Sequence, residues 1–299
     1  MEHKDGTVTD TAAEPVIPII TRQSITPSGI GLKFSPEPRQ YWVNDIPVES
    51  VTKILDVLAK EPLYNWYWRG GIEGVLRLIH MGDIGRLNGE PVLVTDMDDY
   101  VPATEPAVMS LLKTRSLTPK DVMEKKGDIG TTVHKAMEMW VDTGIVPDPD
   151  FYGEDERGYI VGLVAFLNDV KIDLSHHIES EVMVGSVKHK FAGTFDIRCQ
   201  INECSLRRTP VRDNYSDFSA GRWMFDLKTS RYIYDTHFIQ LEAYEGASVE
   251  CGYQPTVGRA VVHITPAGSY QVRVSKARYS DFTKIKGAYD AVKRVKGAK

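Results

Sequence analysis

The sequence predicts an α/β fold, a mixed central β-sheet flanked by helices and preceded by a mainly helical N-terminal part. Three observations predict it. Apolar residues recur at helical spacing in residues 51–58 and 157–170; the period shortens to two from Ile178 onward; and one more helical stretch, 234–249, is embedded among those strand-like segments. With 299 residues, 42% of them hydrophobic and 26% charged, the chain can bury a sizeable core.

Residues 1–16 are polar and mostly acidic and read as a loose, disordered tail. Residues 17–126 read as an N-terminal hairpin and helical region. Within it, Tyr41-Trp42-Val43 and Ile46-Pro47-Val48 flank an Asn44-Asp45 turn, which predicts a small hairpin over 40–48. A helix follows from Ser50, with Val51, Ile54, Leu55 and Leu58 on one face. The aromatic cluster of Tyr64, Trp66, Tyr67 and Trp68 reads as core or interdomain packing in preference to a base-stacking platform. Further helices are expected over 71–126, separated by an irregular acidic stretch at 96–99, with Thr118-Pro119 as a helix start.

A boundary is expected near Gly127, and residues 127–275 form the main unit. Asp128 reads as the N-cap of a helix ended by Gly144, and a second helix over 157–170 aligns Ile160, Leu163, Val164 and Leu167. Strands are expected over 179–184, 190–201, 222–229, 257–264 and 270–274, with the helix at 234–249 between them. Residues 276–299 read as a basic amphipathic helix with Phe282, Ile285, Tyr289, Val292 and Val295 on its apolar face.

Composition narrows the function classes. No run approaches the roughly 18–20 apolar residues of a membrane-spanning helix, so a cytoplasmic protein with no membrane partner is expected. Cys199, Cys204 and Cys251 lack the spacing of a zinc or iron–sulfur site and read as reduced thiols. The net charge of -5 argues against a protein that coats nucleic acid by bulk attraction. Charge is segregated, however: from Arg273 to Lys299 nine basic residues face only Asp281 and Asp290. Lys284, Lys293, Arg294 and Lys296 there are candidate DNA contacts.

Asp196 lies in Gly193-Thr194-Phe195-Asp196 and Asp226 in Phe225-Asp226-Leu227-Lys228, each among apolar neighbours in a predicted strand. A buried carboxylate is costly unless paired or metal-bound, which makes both functional candidates. Side chains two apart on a strand share a face, so Asp226 and Lys228 stand side by side. An isolated D-x-K pair reads as a surface ion pair. Upstream, His134 and Glu138 stand one helical turn apart; downstream, Gln240 and Tyr244 do the same. Each pair alone is unremarkable.

The ordered set is specific: G-x-x-x-H-x-x-x-E on a helix, G-T-F-D on a strand, D-L-K-T-S on a strand, Q-x-x-x-Y on a helix. Over about residues 130–274 it resembles the RecB-type branch of the PD-(D/E)XK nucleases, which includes CRISPR-associated single-strand exonucleases and many bacteriophage exonucleases. The resemblance implies that the central unit is a PD-(D/E)XK core. It also implies that His134, Asp196, Asp226 and the carbonyl of Leu227 coordinate Mg²⁺ or Mn²⁺, and that Lys228 acts with Asp226 and Asp196 in catalysis. Gln240 and Tyr244 would hold the scissile strand or brace the site. Glu138 and Glu181 are supporting acids, with Glu181 equally readable as a strand-surface carboxylate.

Two departures from the family stand out. The clustered cysteines that hold an iron–sulfur cluster in several relatives are missing, so no cluster is expected. An insert at 202–221 carries Arg207, Arg208 and Arg212; it reads as a solvated loop, with a DNA-contacting flap as the alternative. The function implied is a metal-dependent deoxyribonuclease, favoured as an exonuclease at DNA ends in phage recombination or replication, with DNA and a single-strand annealing or recombination protein as partners. The rivals are a structure-specific endonuclease with the same residues and an inactive nucleic-acid-binding module.

Overall fold

In the computed structural model the described residues are 20–58, 61–94, 100–170, 172, 176–202 and 219–297, with 61–66 described as backbone only. The expected tail, the acidic stretch at 96–99 and the insert residues Arg207, Arg208 and Arg212 lie outside them, as does Cys204.

Among the described residues a nine-stranded sheet runs in the order β1 (Arg22–Ile25), β2 (Gly31–Ser35), β3 (Gln40–Val43), β4 (Ile46–Ser50), β9 (Phe191–Ile201), β10 (Gly221–Lys228), β11 (Gly258–Ile264) and β12 (Tyr270–Val274), with β8 (Glu179–Ser186) also paired to β9. The sheet is mixed: β4–β9 and β10–β11 are parallel, and the other ladders are antiparallel. Asn44 and Asp45 both have positive φ, 48° and 64°, which matches the twist of the two-residue β3–β4 hairpin.

Helices cover both faces. Apolar residues of α4 (Pro119–Thr143) and α5 (Glu154–Val170), including Val133, Met137, Ile160 and Phe166, pack on Trp223, Phe225 and Leu227 of β10. On the other face Met224 of β10 meets Leu241 and Ala247 of α6 (Asp235–Glu250), together with α1 (Val51–Leu55) and Phe282 of α7 (Tyr279–Gly297). The period-2 alternation of β10 therefore feeds both cores and leaves Asp226 on the Met224 side. Cys199 belongs to the first core and Cys251 to the second, and burial pushes both thiols up.

Three expectations need correction. The N-terminal part holds more strand than the one hairpin expected: β1 to β4 extend the central sheet, and β5 (Ile84–Leu87), β6 (Glu90–Val94) and β7 (Tyr100–Pro102) form a separate small sheet between α2 (Glu61–His80) and α3 (Glu105–Thr114). The β5–β6 turn is Asn88-Gly89, both at positive φ, a strong hairpin signal that the helical reading of 71–126 overrode. Asp128 is not an N-cap, because α4 runs unbroken through Gly127; a capping box of Thr118 and Asp121 starts it and Gly144 at φ 70° ends it. The boundary expected at 126/127 thus falls inside a helix.

The third correction concerns apolar faces. Tyr67 and Trp68 do not enter a core; Trp68 is 63% exposed. On α7, Phe282 is buried and Ile285 and Tyr289 pack beside it, but Val292 and Val295 are exposed while Lys286 is buried and paired to Asp290 at 2.6 Å. No helix among the described residues is long and apolar enough to cross a membrane.

Candidate functional site

Three chain segments far apart in sequence bring their side chains together beside the C-terminal half of β10. His134 projects from α4, where Val133 and Met137 lock the helix onto the sheet. Its Nδ1 lies 3.4 Å from Glu181 Oε1 and 3.4 Å from Asp196 Oδ1, and its Nε2 lies 3.3 Å from the Leu227 carbonyl oxygen. One ligand atom each from His134, Glu181 and Asp196 falls within 4.8 Å of the others. An imidazole nitrogen and two carboxylates form a donor set suited to a divalent cation. With Nε2–H donated to Leu227, the Nδ1 lone pair points toward the two acids.

The β8–β9 register sets the two acids opposite each other, since Ser180 pairs with Ile197 and Val182 with Phe195. Like charges directly across a ladder repel, so a cation between them is favoured. Asp196 Oδ2 accepts the Leu227 backbone N–H at 2.6 Å, which ties β9 to β10 at the site. Burial is the first cause that raises the Asp196 carboxyl to about 6; His134 and Lys228 oppose it, and Asp226 and Glu181 add to it. Asp196 in turn is the chief cause that lifts His134 to about 9, against its burial.

Asp226 is 1% exposed, and its Oδ2 lies 2.5 Å from Lys228 Nζ. Its Oδ1 is buried without a hydrogen-bond partner. Burial lowers the Lys228 pKa, yet Asp226 and Asp196 outweigh it and hold the ammonium above its usual range. Lys228 thereby brings a fixed cation to the edge of the three-residue cluster.

Gln240 and Tyr244 lie on α6, and Gln240 Nε2 donates to Tyr244 Oη at 2.7 Å. Burial, then Asp226, raises the Tyr244 phenol well above its ordinary range, so it stays neutral. A Cβ on Gly193 would lie 2.5 Å from Tyr244 Cε1, which explains the glycine in the G-T-F-D segment: the strand must let the ring approach. Glu138, one turn beyond His134, is not part of the His134, Glu181 and Asp196 cluster.

A cleft of about 750 Å³ opens at this point, lined by Leu55 of α1, Lys126 and His134 of α4, Lys228 at the end of β10 and Arg231 beyond it, and His237 and Gln240 of α6 among others. His237 was not singled out from the sequence, although it stands three residues before Gln240 on the same helical face. Burial, aided by Lys228, lowers its pKa to about 4, so it enters the cleft as a neutral ring.

The candidate DNA contacts on α7 are separate from this cleft. Lys284, Arg294 and Lys296 are exposed, whereas Lys293 Nζ pairs with Glu49 at 2.5 Å and so fastens α7 to β4.

No family profile matches the chain, and no curated protein matches it either. A solved structure described as "Crystal structure of SSO0001" is similar at 15% identity and a TM-score of 0.27; the similarity covers 43% of this chain and 56% of that one.

Proposed function

We propose that this chain is a metal-dependent deoxyribonuclease that hydrolyses phosphodiester bonds, with a PD-(D/E)XK-type site. The observation that carries the reading is the convergence of His134, Glu181 and Asp196 beside the Asp226–Lys228 pair, at the mouth of a cleft. The donor set fits Mg²⁺ or Mn²⁺: two hard carboxylates and one imidazole, with the orphaned Asp226 Oδ1 as a further oxygen nearby.

His134, Glu181 and Asp196 would hold the ion, and Asp226 is available as an additional ligand. Such an ion supplies charge neutralisation at the phosphoryl group and a water acidified enough to attack at neutral pH. The chain's own groups do the rest. Lys228, kept cationic by Asp226, donates to a phosphoryl oxygen or to the incoming water and offsets the negative charge that develops. Asp196 holds the backbone of Leu227 and so fixes the strand that carries Lys228. Gln240 and Tyr244 form a neutral wall that orients the site without adding charge.

The favoured activity is exonucleolytic, at DNA ends in phage recombination or replication, alongside a single-strand annealing or recombination protein. That preference rests on the motif order. A cleavage assay with end-labelled linear and covalently closed circular DNA, with and without Mg²⁺, tests it. Metal-dependent loss of the linear substrate with an intact circle is the expected result; cutting of the circle would favour an endonuclease, and no cutting of either would overturn the enzyme reading.

A further inference from the structure

Glu181 has φ 50° near the start of β8, a left-handed conformation that non-glycine residues seldom adopt in a strand. Something must hold it there. Arg22, 159 positions upstream on β1, donates from Nη2 to the Glu181 carbonyl oxygen at 2.5 Å, and its Nη1 lies 3.6 Å from Glu181 Oε2. The other carboxylate oxygen, Oε1, is the one turned toward His134. One planar guanidinium thus grips the backbone and the outer oxygen of a single residue, which a lysine cannot do.

We infer that Arg22 is a positioning residue for the candidate metal centre, holding Glu181 in its left-handed turn so that Oε1 faces His134 and Asp196. The inference rests on the reading that this cluster binds a divalent ion. Cross-strand repulsion between Glu181 and Asp196 tends to swing the Glu181 carboxylate outward; the Arg22 fork opposes that motion at its hinge. Electrostatics alone argues the other way, because a fixed cation beside a ligand carboxylate weakens the attraction for a second cation. Positioning and plain charge therefore predict opposite signs for removing Arg22.

The test is Mn²⁺ binding to the full chain, read by titration calorimetry and by the electron paramagnetic resonance of free Mn²⁺. Positioning predicts that Arg22→Ala weakens Mn²⁺ affinity about tenfold or more, as for other groups that orient metal ligands. Arg22→Lys, which keeps the charge but loses the planar fork, should fall between wild type and Arg22→Ala and serves in its place if the alanine variant does not fold. In a Glu181→Ala background, Arg22→Ala should have no further effect. Unchanged or tighter binding by Arg22→Ala would overturn the inference, as would an equal loss in the Glu181→Ala background. Failure of the wild-type chain to bind Mn²⁺ would instead remove the metal reading itself, and the inference with it.

Discussion

Glu181 and Asp196 face each other across the β8–β9 ladder, and a single imidazole nitrogen, His134 Nδ1, stands 3.4 Å from a carboxylate oxygen of each. The three groups are electrostatically one unit, so a change in any of them is read by the others. Asp196 contributes most to the elevated His134 pKa. Asp196→Asn should therefore bring His134 down from about 9 toward 6.5, followed by NMR titration of its ring protons. A His134 pKa that stayed near 9 would mean Glu181 alone sets it.

The pH dependence of the metal-free protein has a definite sign. His134 is raised on folding, so its stabilising contribution is complete below about 6.5 and disappears as the pH rises through 9. Metal binding runs opposite, since a divalent ion needs the neutral ring. Across pH 6.5 to 9 the thermal midpoint without metal should fall while Mn²⁺ affinity rises. A flat affinity profile would take His134 out of the ligand set.

Lys228→Ala should lower cleavage by about 10²-fold or more, the usual cost of losing a preorganised donor to developing negative charge. It should also destabilise the fold by about 3–5 kcal/mol, because it strands a buried carboxylate. Adding Asp226→Asn should restore much of the stability and none of the activity. Normal turnover in the single variant would contradict the role given to Lys228.

Gly193→Ala should cost about 1–3 kcal/mol through overpacking against the Tyr244 ring. Urea denaturation reads the loss. Tyr244→Leu in the same chain should recover part of it, and additive losses would show that the two positions do not compete for space.

Replacing Lys284, Arg294 and Lys296 together by glutamine tests the surface of α7 while sparing its buried Phe282. If all three meet phosphates of duplex DNA, the slope of log affinity against log salt should shrink by about 3. An unchanged slope would assign α7 to packing against α6 and α1. Lys293 is left out of the set because its charge is engaged by Glu49.

Much of the central architecture was legible because its signals are local. The alternation in β9 to β12, the apolar face of α5 and the Asn44-Asp45 turn each declare themselves within a few residues. The small sheet between α2 and α3 was missed because its strands are three to five residues long, too short for periodicity to outvote the flanking helices. At the candidate site, Asp196, Asp226, Lys228 and His134 were singled out by chemistry plus order along the chain, and the fold sets His134 beside Asp196 and Lys228 beside Asp226. Glu181 was undervalued because its placement depends on a register with Asp196 and on contact with an arginine from a distant edge strand. Arg198 was invisible for a similar reason: a charged residue in a strand reads as exposed, yet it is fully buried, bonded to Glu179 and Ser248 and stacked over Tyr253.

The unbroken course of α4 has a mechanical meaning. A helix of 25 residues is about 37 Å long, and it behaves as a stiff rod. Its first turns bear on α2, where Pro119 abuts Gly70 and Met123 meets Tyr67, while its later turns carry His134. With no break at Gly127, one continuous element carries both the contact with α2 and the imidazole that faces the acids.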